Sequence, residues 1–117
     1  MEFSIEFYEA SSGRSPVREF LDDLKASDRN DFAAVMAGLA KLRDRRYHRP
    51  PLSKPIGERL FELRHVGKLN TRILYFFIEG QRIILVHGIR HKGRKIPIKD
   101  SRIALERRRD WLMRSEG

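Results

Sequence analysis

The chain contains no cysteine, which excludes disulfide staples and thiolate-bound zinc. Its four histidines offer no helical metal spacing: His87 and His91 are four apart but straddle a strand end. No metal and no cofactor is therefore expected. No apolar run is long enough to span a bilayer. The first ten residues include Glu2, Glu6 and Glu9, unlike a signal peptide. The expectation is a soluble, cytoplasmic protein with no membrane partner. There is no Walker loop, dinucleotide fingerprint or nucleophile elbow. Acids are sparse in the basic half, and Glu58, Glu62 and Glu79 do not cluster with others, which disfavours glycosidase and two-metal nuclease chemistry. Repeats and low-complexity tracts are also missing. With 117 residues, the chain suggests one domain over 1–117 with a core that needs no disulfides.

What is plentiful is positive charge. The net charge is +9, yet residues 1–40 hold eight acids and four bases, so the remaining 77 residues carry +13. A basic half points to an anionic partner, most often nucleic acid, here RNA or the ribosome. The bland reading is a solvated basic surface with no specific partner.

Hydrophobic patterning gives the elements. Phe3, Ile5 and Phe7 alternate with Ser4, Glu6 and Tyr8, the period of a half-buried strand. Ser15-Pro16 reads as a helix start, followed by Val17, Phe20, Leu21 and Leu24 at helical spacing. Ser27 or Asp28 caps a second helix with the stripe Phe32, Val35, Met36, Leu39 and Leu42; Arg43, Arg45 and Arg46 complement its dipole. Pro50, Pro51, Pro55 and Gly57 mark residues 47–58 as a connecting loop. Three strands follow, around Leu60–Arg64, Thr71–Phe77 and Ile83–Ile89, with Glu79-Gly80 as a tight hairpin. Asp100 or Ser101 caps a last helix to about Arg114, burying Ile103, Ala104, Arg107, Arg108, Trp111 and Leu112. The order is β-α-α-β-β-β-α: an α+β fold, with a helical hairpin and a C-terminal helix on a mainly antiparallel sheet.

The middle strand places Ile73, Tyr75 and Phe77 on one face and Arg72, Leu74, Phe76 and Ile78 on the other. Arg72 is the exception in a strand that otherwise reads as core. The last strand runs into Arg90, His91, Lys92, Arg94 and Lys95. Cations and imidazoles without paired acids suit metal-free cleavage of RNA, whose 2′-hydroxyl attacks the adjacent phosphate. Such a site needs a base, an acid and cations for the phosphoryl oxygens. Arginine bridges phosphate oxygens, and histidine exchanges protons near neutral pH. Phosphate binding alone would use the same residues.

These segments carry a resemblance. Leu60-Phe61-Glu62-Leu63-Arg64, Arg72-Ile73-Leu74-Tyr75, Val86-His87-Gly88-Ile89-Arg90-His91-Lys92 and Lys95-Ile96-Pro97 together resemble the RelE/HigB-type toxins of toxin–antitoxin modules, nearest to their phage-derived subgroup. The resemblance spans essentially the whole chain. It implies a compact RelE-like fold, ribosome-dependent mRNA cleavage, and a cognate antitoxin, expected to carry a helix-turn-helix DNA-binding domain. It implies catalytic roles for Arg72, Arg90, His91 and Lys92, and places Arg64 and Lys95 among the phosphate-binding cations. Lys68, His87 and Arg94 are read as further RNA or phosphate contacts. The chain departs from the pattern at Thr71, where an aromatic is usual, at Ile89 for phenylalanine, and at His91 for lysine. It also lacks a tyrosine after Tyr75.

Each residue has a plainer reading. Arg72 can pair with Glu62 or Glu79, and His87 can be a hydrogen-bonded core histidine. His48 and His65 read as surface loop residues, and Trp111 as core. Two other function classes remain: a non-catalytic ParE-like gyrase poison and a general basic RNA-binding module.

Overall fold

The computed structural model describes residues 2–64, 71–90, 93 and 95–116. Its strands and helices are β1 (Ser4–Phe7), α1 (Pro16–Ser27), α2 (Arg29–Leu42), β2 (Ser53–Gly57), β3 (Leu60–Arg64), β4 (Thr71–Ile78), β5 (Arg82–Arg90) and α3 (Ile98–Glu116), with a 3₁₀ turn at Arg45–Tyr47. The sheet order is β1-β5-β4-β3-β2. Neighbouring strands run antiparallel except β1, which lies parallel to β5. The α+β class and the helical hairpin are as the sequence predicts.

Two apolar layers sandwich the sheet. On one face Ile73, Tyr75, Ile83 and Leu85 pack against Val17, Leu21, Leu24, Val35 and Leu39 of α1 and α2. On the other, Leu60, Leu74, Phe76, Ile84 and Val86 meet Ala104, Trp111 and Leu112 of α3. The alternation read in β4 is thus the division between the two layers. Met36 departs from the predicted stripe: it is 41% exposed, while Gly38 is buried in the α2 interface.

Residues 53–57 overturn the loop reading. They form β2, pairing Lys54 with Glu62 and Ser53 with Leu63. Pro55 is tolerated because β2 is an edge strand, where a missing N–H faces no neighbour. The buried Ser53 hydroxyl and the Tyr75 hydroxyl share a hydrogen bond across β3.

Caps are also redistributed. Asp28 caps α2 by accepting from the Asp31 N–H at 3.0 Å. Ser15 precedes Pro16 as expected, but its hydroxyl donates to the Tyr8 carbonyl. Arg43, Arg45 and Arg46 lie past the last turn of α2. Arg43 ion-pairs with Glu2 at 3.0 Å, and Arg46 binds Asp44 at 2.6 Å. His48 is not a plain surface residue: its Nε2 donates to the Leu42 carbonyl at 2.6 Å, and its ring packs on Phe3 and Phe77. α3 starts two residues before the predicted cap, so Asp100 sits inside its first turn. Among the described residues no helix is long and apolar enough to cross a membrane.

Candidate nucleic-acid interface

Arg72 is the second residue of β4 and faces the α3 side with Leu74 and Phe76. Across β3, Glu62 lies opposite Leu74, which makes it the diagonal neighbour of Arg72. The Arg72 Nε sits 3.7 Å from Glu62 Oε2, and both side chains are essentially inaccessible. One guanidinium nitrogen, Nη2, donates to the Gly93 carbonyl. The Arg72 Nε and Nη1 and the Glu62 Oε2 are buried with no hydrogen-bond partner among the described residues. The sequence placed Arg72 outside the core; it is instead among the largest fully buried side chains. The reason is α3, which covers this face of the sheet, together with the Gly93 carbonyl bound to the guanidinium.

Glu62 opens onto a cleft of about 360 Å³. Lys54 and Lys95 line it, with Ile56, Ile96 and Ser101 as neighbours. Lys54 pairs in register with Glu62, so both project to the α3 side. Sequence reasoning missed Lys54 because it took residues 47–58 for a loop. The legible signal was a lysine beside a proline, a common pair on exposed sheet edges. Lys95, a predicted phosphate ligand, is exposed here.

Arg90 stands apart from Arg72. In the register Arg90 opposes Thr71 and Ile89 opposes Arg72, so the two arginines project to opposite faces. Arg90 approaches Asp28 at 3.5 Å and Asp31 at 4.0 Å at the junction of α1 and α2. The Thr71 hydroxyl donates to Asp31 as well, which gives this departure from the toxin pattern a structural task. Arg64 lies in register with Arg72, but at the sheet corner it lines a second cleft, against α2. Lys68, His91, Lys92 and Arg94 lie outside the described residues, as does His65.

His87 is brought to the α3 side by a bulge in β5. The register slips between Leu74/His87 and Tyr75/Leu85, so Val86 and His87 both face α3. Arg107 donates to the Val86 carbonyl at 2.8 Å and to the His87 Nδ1 at 3.0 Å. A guanidinium can only donate, so Nδ1 accepts and the ring proton sits on Nε2. That proton is donated to Asp100 Oδ1 at 2.7 Å. Burial pushes the His87 pKa down, with the Arg107 charge adding to the effect and Asp100 opposing it. Both ring nitrogens are engaged, so the arrangement matches the hydrogen-bonded core histidine rather than a phosphate ligand.

The α3 face thus places a carboxylate, Glu62, and two lysines, Lys54 and Lys95, on a small cleft, with the Arg72 guanidinium buried behind Glu62 and outside the cleft lining. Among the described residues no group of three or more metal-ligating side chains could hold an ion.

No curated protein matches the chain. A family comparison matches residues 19–109, which run from α1 through most of α3. The chain belongs to the family of phage-derived Gp49-like proteins (DUF891).

Proposed function

We propose that this protein is the toxin of a type II toxin–antitoxin module and acts as a ribosome-dependent, metal-free mRNA endoribonuclease. Membership of the Gp49-like family is consistent with a toxin module. The observation that carries the nuclease reading is the buried Arg72–Glu62 pair, of which Glu62 lines the cleft edged by Lys54 and Lys95. Arg72 would stabilise charge on the phosphoryl oxygens, an electrostatic role usually worth the most. Glu62 carries a buried oxygen beside it that has no hydrogen-bond partner among the described residues, and it would accept the 2′-proton. His91, with Lys92 as its alternate, is the second proton-transfer group, and with Glu62 as the base it would serve as the acid for the 5′-oxygen. For Arg72 to touch a phosphate, the Gly93 carbonyl has to release it, so ribosome binding would be coupled to the loss of that hydrogen bond. The partner that neutralises the toxin is a cognate antitoxin whose acidic segment covers the cationic surface.

Primer extension on transcripts after brief induction tests this. New 5′ ends inside translated frames are expected. Intact transcripts with DNA-supercoiling defects would transfer the function to a non-catalytic gyrase poison.

A further inference from the structure

A second cleft, of about 550 Å³, lies between α2 and the segment from the 3₁₀ turn to β2. Its floor is apolar and shallow in side chains: Ala34, Ala37 and Gly38 of α2, with Leu52 and the Pro50-Pro51 pair opposite. Lys41, Arg46, Arg49 and Arg64 surround that floor, and no carboxylate lines it among the described residues. The nearby Asp44 is engaged by Arg46 and accepts from its backbone N–H at 2.9 Å. Tyr47, 37% exposed, presents a ring at the rim. The Arg64 Nε is buried here without a hydrogen-bond partner among the described residues.

We propose that this cleft binds one nucleotide of single-stranded RNA, its base on the apolar floor and its phosphate on Arg49 and Arg64. The volume falls in the range of small-molecule sites, roughly 300–1,000 Å³. An apolar slot beside an aromatic ring, rimmed by cations, is how single strands are held without sequence reading. The orphan Arg64 N–H needs an acceptor, and a phosphate oxygen supplies one. The inference rests on RNA being the ligand of this protein, but it does not require that the RNA be cleaved.

The test is binding of a 2′-O-methyl hexanucleotide, which cannot undergo 2′-hydroxyl attack, compared with an abasic hexamer of the same charge. The variant is Ala37→Leu, which fills the cleft from an exposed helical position and keeps a strong helix former there; an unchanged melting temperature confirms its fold. The base-bearing oligomer should bind the wild type about fivefold to a hundredfold more tightly than the abasic one. Ala37→Leu should erase that difference. Arg49→Gln should lower the salt slope by about 0.7 for both oligomers. An Ala37→Leu variant that keeps the full preference for bases overturns the assignment. So does one that binds RNA normally but loses an acidic helical peptide bound by the wild type, because the groove would then be a protein-docking site. Wild-type binding with no cleavage of ordinary mRNA would refute the nuclease and leave the nucleotide site standing.

Discussion

Arg72 changes meaning once its surroundings are known. The sequence shows an arginine in an apolar strand, and it correctly names Glu62 as an available partner. It cannot show that α3 and Gly93 close over both, because that depends on residues far apart in the chain coming together, such as Arg72 with Gly93 and Glu62 with Ser101. The consequence is energetic. Removing one member of a buried ion pair strands the other charge, at about 3–5 kcal/mol. Arg72→Ala is thus expected to destabilise the protein by that order in urea melts, and its loss of cleavage would not by itself report catalysis. An Arg72→Met, Glu62→Leu double variant should recover most of the stability while lacking both groups. A single Arg72→Ala variant as stable as wild type would show that the pair is not buried in solution. His87 supplies a pH prediction. Its folded pKa lies below the ordinary value of about 6.5. The neutral ring is favoured by folding, so its contribution is present above about 6.5 and is lost as pH falls from there through the folded value. The melting temperature should drop across that window, and His87→Gln should flatten the drop. An identical pH slope in His87→Gln would assign the effect to other groups.

At the element level, the period of each apolar run was legible and its neighbours were not. β4 declares its two faces, and α1 its start at Pro16. β2 was hidden because proline argues against a central strand and says little about an edge. The bulge at Val86 was also invisible, since a strand with one extra residue keeps the same composition; it turns His87 toward α3. Gly88 then lies against α1. A Cβ added there would come within 2.5 Å of the Phe20 ring, too near for any real contact. Gly88→Ala is expected to cost about 1–3 kcal/mol by overpacking the α1–β5 contact. Phe20→Leu should relieve much of that penalty when combined with it. Chemical denaturation of the single and double variants measures both, and additive losses would place the strain elsewhere. β2 is held by the bond between the Ser53 and Tyr75 hydroxyls, and burial raises the Tyr75 pKa to about 12. Tyr75→Phe should destabilise by about 1–3 kcal/mol, because Ser53 is left buried without its partner.

Across the whole molecule, the division of charge is the feature the sequence made plainest. The acidic first third supplies α1, where Arg14 pairs with Glu19, and the start of α2, where Arg90 is held by Asp28 and Asp31. The excess of cations falls after residue 40, and it includes Lys54 and Lys95 on one cleft and Lys41, Arg46, Arg49 and Arg64 on the other. Under the proposed function a phosphodiester chain would be fixed there largely by charge, and its binding should weaken steeply with salt. Cleavage without a metal has a distinct chemical signature, since attack by the 2′-hydroxyl expels the 5′-oxygen and leaves the phosphate on the upstream fragment. The most direct test is therefore the end-group chemistry of ribosome-bound mRNA after brief induction. The account predicts cuts within translated frames that leave 5′-hydroxyl ends and 2′,3′-cyclic or 3′-phosphates, abolished in a folded His91→Ala, Lys92→Ala variant. Fragments bearing 5′-phosphates, or arrested growth with every transcript intact, would contradict it.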